Sequence, residues 1–175
     1  MGFLGVEFDV MLAGGDLPVL IHDETFERTT SGKGSVPLLA YTDIERFDAG
    51  GWHSAAFKGE RVPTFEMAAK LCRDLGLWAN VEIKPAKGCE AQTGRAVAQM
   101  TQDLWRGADL PPVLSSFSMD ALAAAKEVAP SLPSGLLVGF RLGEGAKLER
   151  RERQQLPNIV VEVLGQAAAL ALLSQ

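Results

Sequence analysis

From Leu4 to Met11 the chain reads Leu-Gly-Val-Glu-Phe-Asp-Val-Met, an apolar run with acids at alternate positions. The pattern predicts a strand, broken at the turn signature Ala13-Gly14-Gly15-Asp16. A second apolar run, Leu17 to His22, predicts a short strand starting at Val19. Periodicity then disappears between residues 23 and 63, where polar residues alternate with turn signals such as Ser31-Gly32-Lys33-Gly34 and Ala49-Gly50-Gly51. The one helix predicted there spans Thr42 to Phe47, with Thr42 as N-cap and Glu45 completing a capping box. A loop region this long inside a compact domain is usually functional.

Regular alternation follows. Thr64 to Leu75 is an amphipathic helix capped by Thr64 and stopped near Gly76, and Leu77 to Lys84 is a strand ending before Pro85. Glu90 to Trp105 is a helix, Pro112 to Phe117 a strand, Met119 to Val128 a helix and Gly135 to Val138 a strand. Gly145 to Gln155 reads as a helix and Ile159 to Val163 as a strand, followed by an Ala/Leu-rich helix. Strands alternating with helices of ten or more residues mean βα units and a parallel sheet. Six candidate strands in 175 residues hold most of a (β/α)8 barrel, which typically needs about 250 residues. The whole chain, 1–175, reads as a single α/β domain.

Composition narrows the function classes. With 17 Lys+Arg against 22 Asp+Glu the net charge is −5, and the basic residues are scattered. The cluster Arg150, Arg151 and Arg153 alternates with Glu149 and Glu152 and reads as a solvated helix face, so no basic stripe tracks nucleic-acid phosphates. Cys72 and Cys89 lack the spacing of a disulfide framework or zinc site, which makes a reducing, cytoplasmic setting the default. No apolar run approaches the roughly 20 residues a membrane span needs. The sequence leaves homodimerisation open.

The chemistry begins with Glu7 and Asp9. Strand residues two apart face the same way, so both carboxylates share one face while Val6, Phe8 and Val10 share the other. Two buried carboxylates repel and are costly to desolvate unless a hard cation joins them. An edge strand with a wet face fits this pattern equally well. Asn80, Glu82 and Lys84 repeat the arrangement, with Val81 and Ile83 behind them. Glu82 reads as a third metal oxygen, and Lys84 as either a counter-charge for an anionic substrate or the partner of Glu82. One such strand alone would favour a structural ion pair; two argue against it. His22-Asp23 closes the second apolar run, where imidazole can exchange protons at neutral pH. His53 lies in the long loop and reads as a surface residue. This inventory suits metal-assisted hydrolysis of an anionic ester. There is no nucleophile elbow, Walker loop or dinucleotide fingerprint.

Several stretches together resemble the glycerophosphodiester phosphodiesterase family, in order and over residues 4 to about 140. They are Val6-Glu7-Phe8-Asp9-Val10, Pro18-Val19-Leu20-Ile21-His22-Asp23, Arg28-Thr29-Thr30-Ser31-Gly32-Lys33-Gly34, Asp48-Ala49-Gly50-Gly51-Trp52, Phe57-Lys58-Gly59-Glu60-Arg61-Val62-Pro63-Thr64, Asn80-Val81-Glu82-Ile83-Lys84 and Leu114-Ser115-Ser116-Phe117. The resemblance implies a (β/α)8 TIM barrel of the phospholipase-C-like phosphodiesterase type, with about 23–63 as the family's insertion. It implies that Glu7, Asp9 and Glu82 bind Ca²⁺ or Mg²⁺, that His22 is one of two acid/base histidines, and that Lys84 and Ser116 contact substrate. The implied reaction turns a glycerophosphodiester into glycerol 3-phosphate and an alcohol.

The sequence also departs from the family. The opening His-Arg-Gly strand, which carries the second histidine and a phosphate-holding Arg, does not occur here. Neither does the Pro-Glu-Asn-Thr segment that follows it, nor the closing strand with its Trp-Thr signature. His53 stands where the family usually has an aromatic residue and is no replacement. The comparison implies a barrel lacking its first strand, cut at the N-terminus and short at the C-terminus, with little activity of its own. Two alternatives remain: a non-catalytic domain that keeps the phosphate and metal pocket, and a related barrel cleaving lysophospholipids or sphingomyelin. The Gly-Glu-Arg-Val-Pro-Thr segment favours the glycerophosphodiesterase over the latter.

Overall fold

The apolar run with its alternating acids extends to a nine-residue strand, β1 (Gly5–Ala13), in a computed structural model that describes residues 4–138. This strand has two halves with different partners. Gly5–Val10 pairs in parallel with β3 (Trp78–Ile83), and Val10–Ala13 pairs antiparallel with β2 (Leu17–Leu20). The turn between β1 and β2 places Gly15 at φ 79° and Asp16 at φ 63°. Glycine and aspartate are residue types that tolerate this left-handed backbone. Gln92 secures the tip by donating to Asp16 Oδ1 at 2.6 Å. The run ending at His22 is therefore the returning arm of a hairpin. It runs antiparallel to its neighbour, unlike the parallel βα units that the alternation predicts further along the chain.

The remaining strands run as predicted. Strands β4 (Val113–Ser116) and β5 (Ser134–Leu136) extend the sheet in parallel, giving the order β2-β1-β3-β4-β5. The helices between them lie close to their predicted bounds. In α2 (Phe65–Asp74) the Thr64 side chain accepts from the Met67 amide, and Gly76, at φ 65°, follows the end. Helix α3 covers Glu90–Leu104. Helix α4 covers Met119–Val128, with Ser118 accepting from the Ala121 amide. The strand expected at Ile159 to Val163, and the helices on either side of it, lie outside the described residues.

The long segment between β2 and α2 is folded. Two 3-10 turns, Val36–Leu38 and Ala55–Phe57, flank its one short helix, α1 (Tyr41–Ile44). The predicted capping box is absent: α1 starts after Ala40, and no side chain caps it. Tertiary contacts set this start instead. Ile44 is fully buried, and Tyr41 donates its hydroxyl to the Val62 carbonyl at 3.0 Å.

Two apolar cores result. Phe8, Val10, Val81, Ile83 and Leu114 pack against α2, α3 and α4. A second core joins Met11, Ala13, Val19 and Ile21 of the hairpin to Phe26, Val36, Ile44 and Val62 of the insertion. Alternate residues of β1 thus serve different masters: Phe8 and Val10 face the helices, Met11 and Ala13 the insertion. Glu7 and Asp9 lie on the insertion-facing parity but below it. Within the described residues Gly5–Phe8 is bonded on one side only, by β3.

Candidate active site

Strand parity brings the acids together. Asp9 and Glu82 are direct cross-strand partners, and Glu7 is partnered by Asn80. Asp9 is 4% exposed and Glu82 2%, so the face is not the wet side of an edge strand. Oxygens of Glu7, Asp9 and Glu82 lie within 4.8 Å of one another. Adjacent like charges on one face oppose the fold. Burial, followed by the fields of Asp9 and Glu82, pushes the Glu7 carboxyl up to about 8, against the pull of Lys84. Glu82 is raised by burial and by Asp9, and drawn back by Lys84 and His22.

Among the described residues a single ammonium answers these three carboxyls. Lys84 Nζ lies 3.2 Å from Asp9 Oδ1 and 3.5 Å from Glu82 Oε1. One ammonium does not satisfy the oxygens of three carboxyls, and among the described residues Glu7 Oε1 is buried without a hydrogen-bond partner. Oxygen donors this close, with an unused buried lone pair, fit a hard divalent cation. Beside them a cavity of about 360 Å³ opens between Glu24, Glu82, Lys84, Lys87 and Phe117.

His22 lies on the returning arm of the hairpin, next to the point where the Ile21 amide donates to the Asp9 carbonyl at 3.2 Å, and is not among the residues that line this cavity. Its side chain is 41% exposed and stands clear of both apolar cores. Nδ1 lies 2.7 Å from Asp23 Oδ1. Arg28 grips the same carboxylate with Nη2 at 2.8 Å from Oδ1 and with Nε on Oδ2. Those hydrogen bonds, with the one from His22, hold the Asp23 carboxyl down at about 2. His53 is exposed in the insertion, edge-on between Trp52 and Phe57, as its sequence position suggests.

Ser116 and Ser115 divide differently from the sequence expectation. Ser115 is the cross-strand partner of Glu82 and shares its face. Its Oγ is buried and unpartnered. Ser116 has the opposite parity. Its hydroxyl donates to the Ile83 carbonyl at 2.5 Å and accepts from the Ser118 amide at 3.1 Å. Ser116 therefore borders the cavity at the strand end with its hydroxyl already occupied.

The family model of the glycerophosphoryl diester phosphodiesterases matches residues 1–165 of the 175. The chain belongs to this family. It is 34% identical over 141 residues to a glycerophosphodiester phosphodiesterase of Caldanaerobacter subterraneus, covering 78% of this chain and 56% of that protein. A glycerophosphodiester phosphodiesterase of Bacillus subtilis is 27% identical over 142 residues, covering 74% and 47%. Among solved structures, an Oleispira antarctica phosphodiesterase in complex with the product sn-glycerol-3-phosphate superposes with TM-score 0.71 at 33% identity. That match covers 77% of this chain and 54% of that one. A glycerophosphodiester phosphodiesterase from Agrobacterium tumefaciens gives 0.63 at 28% identity, covering 75% and 53%. The chain thus spans about half the length of these relatives. The five-stranded sheet and its helices are part of the TIM barrel that glycerophosphodiester phosphodiesterases share.

Residues 23–63 form an ordered segment packed on the second core rather than a linker. The structure also shows what the sequence reading missed. Asp23 and Arg28 lie within the matched motifs, yet their pairing depends on a turn of the insertion that no periodicity announces. Ser115 was within reach of the parity argument used for Glu82, applied one strand further on.

Proposed function

We propose that this site serves the metal-dependent hydrolysis of glycerophosphodiesters to sn-glycerol 3-phosphate and an alcohol. The observation that carries the reading is the convergence of Glu7, Asp9 and Glu82 on one point, with the Lys84 ammonium between Asp9 and Glu82. Family membership and the product bound by the Oleispira relative support the substrate class. Glu7, Asp9 and Glu82 would hold Mg²⁺ or Ca²⁺, which supplies Lewis-acid polarisation of a phosphoryl oxygen and neutralises developing charge. Lys84, freed from part of its pairing, presents its ammonium to the phosphate. With Nδ1 bonded to Asp23, His22 exchanges the proton of the attacking or leaving oxygen at Nε2. Ser116 shapes the cavity wall through its strand end. Such a reaction belongs to glycerol and lipid metabolism. The two free cysteines, Cys72 and Cys89, support a reducing, cytoplasmic setting.

A second reading, binding of phosphate and cation without turnover, draws on His22 being the one imidazole at the site. The test is release of glycerol 3-phosphate from glycerophosphocholine, measured by a coupled dehydrogenase with Mg²⁺ or Ca²⁺ present. Lysophosphatidylcholine and sphingomyelin serve as parallel substrates. Release from glycerophosphocholine alone supports the proposal. Phosphate and cation binding without release from any substrate, even after addition of a His-Arg-Gly strand, supports the second reading. Preference for either lipid overturns both.

A further inference from the structure

We propose that Asp23 and Arg28 are positioning residues that fix the tautomer and orientation of His22, so that the insertion reaches the chemistry through Arg28. The inference rests on the reading of His22 as the proton-transfer group. Neighbouring residues on an extended strand point to opposite faces. A hydrogen bond between the side chains of His22 and Asp23 therefore requires the chain to leave the strand, and it bends across residues 22–24. The bend turns Asp23 back onto Nδ1 at 2.7 Å.

Arg28 holds Asp23 in that place. Its guanidinium engages both carboxylate oxygens through Nε and Nη2, the planar two-point contact that an ammonium cannot reproduce. The backbone carrying Arg28 is itself fixed. Thr30 returns its amide to the Phe26 carbonyl at 3.1 Å. Phe26 is fully buried and Thr29 2% exposed, one on each side of Arg28. Rigid backbone, forked guanidinium, carboxylate and imidazole thus form a continuous chain from the second apolar core to the site.

Stability alone does not explain this arrangement. Arg28 is 57% exposed and Asp23 25%, and exposed ion pairs contribute about 0–1 kcal/mol. What the pair does supply is direction. A charged carboxylate at Nδ1 keeps the proton on that nitrogen and leaves the Nε2 lone pair free. The residue before His22, Ile21, donates its amide to the Asp9 carbonyl, which ties the backbone that carries the ring to the strand that carries Glu7 and Asp9.

The direct test reads the tautomer itself, without metal or substrate. Nitrogen-15 NMR of the imidazoles is recorded in alkaline buffer, where histidine is neutral. There are two histidines, and His53→Gln assigns the signals. In the unsubstituted chain His22 is expected predominantly as the Nδ1–H form. Arg28→Ala and Asp23→Ala should shift it toward the Nε2–H form that unconstrained histidine favours. Arg28→Lys, which keeps the charge but loses the fork, should give an intermediate ratio. It is also the variant to read if Arg28→Ala does not fold. A ratio unchanged in Arg28→Lys and Asp23→Ala would overturn the proposal. Where turnover is present, kcat should fall roughly 10- to 100-fold, within what general acid–base groups contribute, with KM nearly constant. A tautomer shift without any turnover in the unsubstituted chain would leave the positioning intact and count against the hydrolase reading alone.

Discussion

Glu7 sits where three opposing demands meet: burial, two neighbouring carboxylates and one ammonium. Together they raise its carboxyl from an ordinary 4.5 to about 8. A group raised on folding gives its full stabilisation below its unfolded value and loses it as pH climbs through the folded one. In chelator, the melting temperature of the chain should therefore fall between pH 4.5 and about 8, and Glu7→Gln should flatten that slope. The same fall in Glu7→Gln would remove Glu7 as its source. Added Mg²⁺ or Ca²⁺ should act in the opposite sense, raising the melting temperature more as pH rises through the window, since ligands bind metal deprotonated. Glu82→Gln removes one of the converging oxygens' charge. Loss of residues merely supporting a metal ligand costs 10- to 100-fold in affinity, so this change should weaken binding by roughly tenfold or more in a calorimetric titration. An unaltered isotherm would end its role as a ligand. These three acids were legible in the sequence because a spacing of two fixes parity. Ser116 illustrates the limit: matching a motif named the residue, and only the register with Glu82 showed that its neighbour Ser115 holds the inward place.

The elements divide along similar lines. Helices α2, α3 and α4 were readable from the alternation, and the Thr64 cap makes the bond its position calls for; the Ser118 cap of α4 appears only in the structure. The start of α1 was not readable, since burial of Ile44 and the Tyr41 hydroxyl bond outweigh a local capping box. The direction of β2 was also hidden: an apolar run looks the same in either orientation, and the tight turn through Gly15 and Asp16 decides. Helices α3 and α4 meet at Gly94, where an added Cβ would stand 2.2 Å from the Ala121 carbonyl oxygen. The obstacle is backbone, so the helices must separate. Gly94→Ala gains helix propensity of about 1 kcal/mol, but overpacking typically costs about 1–3 kcal/mol. We expect net destabilisation by up to about 2 kcal/mol in urea unfolding, and a variant more stable than the parent would mean the helix pair yields freely.

At the scale of the whole molecule, the site contains one imidazole for a displacement that asks for a base on one side of phosphorus and an acid on the other. The chain as given is expected to hydrolyse glycerophosphocholine slowly. A version extended by a His-Arg-Gly strand should be faster by about 10²–10⁴, the range of a general acid–base contribution. Equal rates would show that the second histidine is dispensable. The hairpin has a mechanical consequence too. Its two arms carry Asp9 and His22, joined by the hydrogen bond from the Ile21 amide to the Asp9 carbonyl, which is placed where a fulcrum would be. Beyond that fulcrum the hairpin is embedded in the insertion's core, around Val36 and Ile44. A load applied there is expected to turn the imidazole relative to the carboxylates, because β3 holds Asp9 in register with Glu82. Val36→Ala, remote from the cation ligands in sequence and packed in the other core, should therefore lower turnover in the extended version while leaving its cation isotherm in place. Parallel losses of both would mean that the hairpin moves as a rigid plate, without a pivot.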